Sequence, residues 1–212
     1  MKLSRNICVV GAGYWGKNHI RTLHNLDALK GIVEPDQDVL QKVLNKYPGV
    51  SGYTDLSEAL KDEYDGFTVA TPAETHFTIA REIILSGKHV LVEKPMALSV
   101  SDAEELLSLA EEYNVNLLVG HLLLFHPAII KIKELIDAGR IGTLQYLYSN
   151  RLNLGKVRTE ENVFWSLAPH DISIFQYITD SYPENIKASG VSFIQEGIYD
   201  STITQIKYSN EV

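Results

Sequence analysis

The sequence predicts an α/β protein, with a doubly wound parallel sheet in its first 120 residues and a smaller α+β region with a mostly antiparallel sheet behind it. Three observations carry this. Short apolar runs alternate with segments of helical spacing from Ile7 to Val119, and parallel neighbours are what crossover connections of that length produce. A glycine cluster, Gly11-Ala12-Gly13-Tyr14-Trp15-Gly16, lies between the first apolar run and the first helical segment. After Gly120 the pattern changes, and long stretches alternate apolar and polar residues with the period of a half-buried strand.

The first strand is Ile7-Cys8-Val9-Val10. At the turn that follows, Gly11 allows a tight reversal, Gly13 has no side chain to hold a pyrophosphate off the backbone, and Gly16 lets helix and strand pack closely. The free N–H groups and positive end of the helix would face the anion, with Tyr14 and Trp15 at the same turn. Glycine-rich turns also occur without ligands, so context decides. Here the next strand, Leu29 to Val33, is closed by Glu34 about 20 residues beyond the glycines, where a carboxylate accepts hydrogen bonds from adenosine ribose hydroxyls. The pair predicts a dinucleotide site.

The remaining elements follow in order. The first helix buries Ile20, Leu23 and Leu26, and Pro35-Asp36 opens a second with Val39, Leu40, Val43 and Leu44 inside. Tyr53-Thr54 reads as a third strand and Asp55 as the cap of a helix through Leu60. Phe67 to Ala70 is a strand broken by Thr71-Pro72, and the helix from Glu74 to Ser86 stops at Gly87. His89 to Val92 is the fifth strand. Ser99 and Asp102 start a helix with Ala103, Leu106, Leu107 and Ala110 on one face, and Asn116 to Val119 is the sixth strand. Ligands of such sheets bind at the carboxyl ends of the strands, which singles out Gly11 to Gly16, Glu34, Thr71-Pro72 and Glu93-Lys94-Pro95. In the second region, the sequence predicts a helix from Pro127 to Ala138, a long strand from Thr143 to Asn153 and a loop from Leu154 to Asn162. A helix opened by Ala168-Pro169-His170-Asp171 follows, then strands at 186–195 and Ser201 to Tyr208. The domains expected are 1–120 and 121–212.

Composition narrows the function. A net charge of -8 with no Lys/Arg run speaks against a nucleic-acid partner. Cys8 is the single cysteine, inside the first strand, which excludes an intrachain disulfide and suggests a buried hydrophobe in a reducing compartment. No apolar run approaches the roughly 18 residues of a membrane span, so a cytoplasmic protein is expected. No metal cluster is expected, because His170-Asp171 has no further ligands at a recognised spacing.

With Glu93-Lys94-Pro95 reached, the chain resembles the Gfo/Idh/MocA family of nicotinamide-dependent sugar oxidoreductases. The resemblance rests on the glycine motif, Ala70-Thr71-Pro72 with His76 after it, the Glu-Lys-Pro triplet, Gly120 through His126-Pro127, and His170 in the Ala-Pro-His-Asp run. The stretch Phe164 to Asp171 is similar to the branch acting on nucleotide-activated amino sugars, which implies oxidation of UDP-N-acetylglucosamine at C3 with NAD. The resemblance implies that Lys94 holds the substrate hydroxyl, that the Lys94-Pro95 bond is cis, and that His170 takes the hydroxyl proton. It implies cofactor contacts from Thr71, Pro72, His76 and Glu93 as well. Two positions depart from the pattern: Ser166 stands where many relatives carry aspartate, and Leu124 where many carry arginine. Relatives are also longer, so the second domain is expected to be incomplete.

Each candidate has a plainer reading. Lys94 could be a solvated lysine, His170 or His76 a structural histidine in a first helical turn, and His121 and His126 core residues instead of sugar contacts. Arg151, Asn153 and Arg158 suit a diphosphate, which guanidinium groups grip in bidentate fashion, and equally suit an exposed strand end and loop. Two further functions stay open: a cyclitol or free-sugar dehydrogenase, and a cofactor-binding regulator without turnover. The exposed alternating strands at the end of the chain predict a homo-oligomer formed through the second region.

Overall fold

The computed structural model describes residues 5–152, 162–210 and 212. It divides into two compact units, Met1–Gly120 and His121–Val212.

The first unit is a sheet of six parallel strands in the order β3-β2-β1-β4-β5-β6. The strands are β1 (Ile7–Val10), β2 (Leu29–Val33), β3 (Ser51–Tyr53), β4 (Gly66–Val69), β5 (His89–Val92) and β6 (Leu117–Val119). Between them run α1 (Gly16–Asn25), α2 (Gln37–Leu44), α3 (Leu56–Ala59), α4 (His76–Leu85, entered by a 3-10 turn at Ala73–Thr75) and α5 (Val100–Glu112). Alternation along β1 shows why helices cover both faces. Val9 packs with Ile20 of α1 and Leu40 and Val43 of α2, whereas Cys8 and Val10 pack with Ile83 and Ile84 of α4 and Leu106 of α5. A strand buried on both sides is nearly all apolar, and β4 is buried throughout, with Thr68 its one polar side chain. Three helices start on side-chain caps anticipated from the sequence: Asp36, Asp55 and Ser99 each accept hydrogen bonds from backbone N–H groups of the first turn. The strand order reverses direction between β1 and β4, and the loops leaving these two strands flank the crevice where such sheets bind ligands.

The second unit holds α6 (Pro127–Asp137, preceded by a 3-10 turn at Leu122–Phe125), α7 (Val163–Thr179) and an antiparallel pair, β7 (Pro183–Val191) and β8 (Ser201–Tyr208). Three expectations need correction. Residues 143–152 form no strand, because among the described residues no ladder partner lies beside them; the backbone runs along α7, where Ser149 and Arg151 bond to Asp171. The helix thought to open at Ala168 begins at Val163, because the Asn162 carbonyl oxygen of the side chain accepts from Trp165 N at 3.0 Å and caps it there. Pro169 is thus inside the helix, where it gives no N–H to the carbonyl of Trp165. Finally, β7 ends at Val191, since Asp200 accepts from the amides of Phe193 and Ile194 at 2.7 Å each and folds residues 192–200 into the connecting turn. The loop expected at Leu154 to Asn162 lies, except for Asn162, outside the described residues. Along β8, Thr202, Thr204 and Ile206 face inward while Ile203 is 77% exposed on the opposite face. Among the described residues no helix is long and apolar enough to cross a membrane.

Candidate active site

The glycine turn is built by contacts that exclude any side chain at two of its three glycines. Gly11 has φ +93°, and a Cβ there would lie 2.8 Å from the Ala70 carbonyl oxygen. At Gly16 a Cβ would lie 1.9 Å from the Gly11 carbonyl oxygen, so the third glycine serves the turn itself more than the contact of helix with strand that its position predicted. Gly13 differs: a Cβ there would meet nothing within 4 Å. That open backbone is the surface a pyrophosphate requires, and among the described residues no side chain caps the N-terminus of α1 that follows. Tyr14 and Trp15 stand beside it 86% and 44% exposed, edge to face.

Glu34 leaves the end of β2 and turns back to this loop. Its Oε2 accepts from Ala12 N at 2.8 Å and its Oε1 from Asp36 N at 3.2 Å. The carboxylate is therefore fixed beside the glycine turn, with acceptor capacity remaining on both oxygens for ribose hydroxyls. The residues fit a dinucleotide.

The Glu93-Lys94-Pro95 segment leaves β5 with a cis Lys94-Pro95 peptide bond. Glu93, expected among the cofactor contacts, is instead turned inward and only 6% exposed. Its Oε1 meets His19 Nε2 at 2.8 Å, and its Oε2 accepts from Lys94 N at 3.2 Å. Burial pushes the Glu93 carboxyl up, and the His19 hydrogen bond and charge together with the Lys94 amide and ammonium more than offset it, holding the group below its ordinary value. His76 is also an internal residue, 2% exposed, with Nδ1 2.7 Å from the Pro95 carbonyl oxygen and Nε2 2.9 Å from that of Thr71. It ties the Thr71-Pro72 turn to the Lys94-Pro95 turn and presents no ring nitrogen for a ligand. Thr71 itself bonds to the Thr75 hydroxyl at 2.7 Å. No sequence period marks His19, although it lies three residues beyond Gly16, or the role of Gly120, where a Cβ would come within 2.9 Å of Glu93 Oε2.

In the second unit, His170 and Ser166 are one turn apart on α7, partly buried and 5% exposed respectively. The other side of α7 borders a cavity of about 280 Å³ with Arg151, Phe164, Leu167, Asp171 and Thr204 on its walls. Arg151 does not stand ready for a diphosphate: its Nε and Nη2 donate to the two oxygens of Asp171 at 2.7 and 3.0 Å, and Ser149 donates to the same carboxylate. Burial raises the Asp171 carboxyl, but Arg151 and Ser149 outweigh it and hold the group low. His126 is exposed and its Nδ1 accepts from Ala128 N at 3.2 Å, which makes it the cap of α6 and not a core residue. His121 precedes the 3-10 turn, partly buried. Asn153 and Arg158 lie outside the described residues.

A parallel sheet in this order, a glycine turn with one open glycine and a carboxylate at the end of β2 define a dinucleotide-binding α/β domain. The chain belongs to the Gfo/Idh/MocA family: the family model described as an oxidoreductase family with an NAD-binding Rossmann fold matches residues 5–121. Its first unit is an NAD-binding Rossmann domain. The UDP-N-acetylglucosamine 3-dehydrogenase of Acidithiobacillus ferrooxidans is 29% identical over 194 residues, covering 89% of this chain and 58% of the relative. A solved structure of that enzyme has a TM-score of 0.88 at 27% identity, covering 99% of this chain and 65% of its own. The 4-carboxy-2-hydroxymuconate-6-semialdehyde dehydrogenase of a Sphingobium species is 32% identical over 182 residues, covering 81% of this chain and 58% of the relative. The myo-inositol 2-dehydrogenase of Thermotoga maritima is 26% identical over 200 residues, with shares of 91% and 60%. The chain spans less than two thirds of the length of each of these relatives.

Proposed function

We propose that this chain carries the NAD site and part of the substrate site of a dehydrogenase that oxidises a secondary hydroxyl of a nucleotide-activated sugar, with UDP-N-acetylglucosamine at C3 as the substrate of choice. The observation that carries the coarser part is the open Gly13 backbone beside the fixed Glu34 carboxylate. The sugar assignment is supported by the similarity to the Acidithiobacillus enzyme over most of this chain.

The amides of the glycine turn would hold the pyrophosphate and Glu34 the adenosine ribose. NAD, when bound, supplies the hydride acceptor. Lys94, fixed by the turn after β5, holds the reacting hydroxyl and lowers the cost of its developing negative charge. His170 takes the proton from that oxygen at a ring nitrogen, since an imidazole can serve as base near neutral pH. Ser166 occupies the helix face one turn before His170, where a neutral hydroxyl gives weaker electrostatic support to an imidazolium than a carboxylate would. Arg151 acts through Asp171 by anchoring residues 149–152 to α7, and the diphosphate falls to other groups, with Asn153 and Arg158 the candidates in sequence. The working protein is a homo-oligomer in the cytoplasm, associated through its second unit.

The test is NADH formation, followed by absorbance, with a panel of nucleotide sugars, free sugars and cyclitols. Turnover of UDP-N-acetylglucosamine, inhibited by UDP, is expected. The similarity to the Thermotoga enzyme favours a second reading, a cyclitol dehydrogenase, which predicts turnover of inositol without inhibition by UDP. NAD binding with no turnover of any compound would contradict both and indicate a regulator.

A further inference from the structure

We propose that His19 is a positioning residue: by donating Nε2–H to the buried Glu93 carboxylate, it sets the Lys94 turn against the helix that follows the glycine turn. The proposal rests on the role given to Lys94 above. A buried carboxylate is costly unless its oxygens are paired, and at Glu93 both are engaged inside the protein, one by His19 at 2.8 Å and the other by Lys94 N at 3.2 Å. Gly120, at the end of β6, presses against the same carboxylate: a Cβ there would stand 2.9 Å from Oε2 and 3.2 Å from the Glu93 Cα. Glu93 is therefore closed in on the side of β6 and held on the side of α1.

The contact joins residues 74 positions apart. His19 is one turn into α1, the helix whose N-terminus faces the phosphate site, and Glu93 directly precedes the lysine of the reacting end. Its Oε2 bond fixes the Lys94 amide, so the direction in which the Lys94 side chain leaves the backbone depends on the carboxylate being charged and in place. An apolar residue at 19 would fill space yet leave Glu93 without its donor, and the carboxyl would gain more by taking a proton than by holding the amide. Glutamine at 19 can still donate a side-chain N–H.

His19→Leu and His19→Gln in the full chain separate this from a purely structural contact. Backbone amide exchange at Lys94, NAD affinity by calorimetry, and kcat with NAD and UDP-N-acetylglucosamine are measured on each. For His19→Leu we expect Lys94 exchange about tenfold faster and kcat about tenfold lower, the scale of one lost hydrogen bond to a charged group, with NAD affinity within about threefold. His19→Gln should recover most of both losses. Unchanged Lys94 exchange in a folded His19→Leu variant would overturn the proposal. So would a loss spread evenly over the amides of α4 and α5 that glutamine does not recover, since that is general destabilisation. Should His19→Leu fail to fold, Glu93→Gln supplies the comparison: faster exchange at Lys94 supports the proposal and unchanged exchange overturns it. If the unmodified chain oxidises no nucleotide sugar, the substrate reading fails alone, because the exchange comparison needs no substrate.

Discussion

Two carboxylates at the strand ends do different work, and each makes a prediction. Glu34 is held toward the glycine turn by Ala12 N, where its charge favours free ribose hydroxyls and repels a 2′-phosphate. NAD should bind at least tenfold tighter than NADP, a difference of about 1.4 kcal/mol, and equal affinities in calorimetry would remove the assignment. Glu93 is an internal group whose carboxyl lies below its ordinary value because the His19 and Lys94 contacts outweigh burial. The unfolded chain then binds the proton more readily than the folded one, so this contribution to stability is present above the ordinary carboxylate range and lost as pH falls through the folded value. Thermal melts taken downward from about pH 6 should show the loss, and Glu93→Gln should flatten that slope; an equal slope in the variant would place the effect elsewhere, among carboxyls also held low such as Asp55, Asp65 and Asp171. Residue-scale chemistry was only partly legible. The glycines and Glu34 announce themselves by local spacing, whereas the pairing of His19 with Glu93 and of His76 with two carbonyls arises from tertiary contacts between separate turns, for which sequence offers no period.

Elements of the first unit were legible because its central strands β1 and β4 are buried on both faces and read as nearly continuous apolar runs, with glycine, proline or a cap residue marking the ends of neighbouring elements. Their packing carries the stability of the site. Leu106 of α5 is fully buried among the α4 and β5 side chains. Leu106→Ala should lower the unfolding free energy of the first unit by about 2–5 kcal/mol, measured by denaturant titration. A loss under about 1 kcal/mol would mean that α5 is not packed there as described. Legibility fell in the second unit for physical reasons. The alternation from Thr143 to Asn153 is the pattern of a strand, but pattern cannot supply a ladder partner, and residues 143–152 take their anchor from Asp171 instead. Pro169 looked like the first residue of a helix because proline is favoured there, and the cap at Asn162 outweighed that preference.

At the scale of the whole molecule, the proposed self-association is assigned to the second unit. Among the described residues β7 and β8 form a two-stranded sheet, with Ile203 on its open face and Ile186 60% exposed. Such a sheet presents unpaired backbone groups and apolar area, and the chain should associate through it and not through the NAD-binding unit. Light scattering at micromolar concentration should show a species larger than one chain that Ile203→Lys diminishes; a monomer indifferent to the substitution would refute this. Ile203 and Ile206 stand on opposite faces of β8, as the alternation of the strand requires, which makes the exposed Ile203 the sharper probe.

Lys94 and His170 are the residues proposed to act on the reacting hydroxyl. The most direct test of these roles is the rate of NADH formation from NAD and UDP-N-acetylglucosamine in Lys94→Ala and His170→Ala, beside the NAD affinity of each. We expect kcat to fall about 100-fold or more in both variants with NAD affinity changed far less, and Ser166→Ala to lose much less. Turnover undiminished in both Lys94→Ala and His170→Ala would contradict the proposed roles.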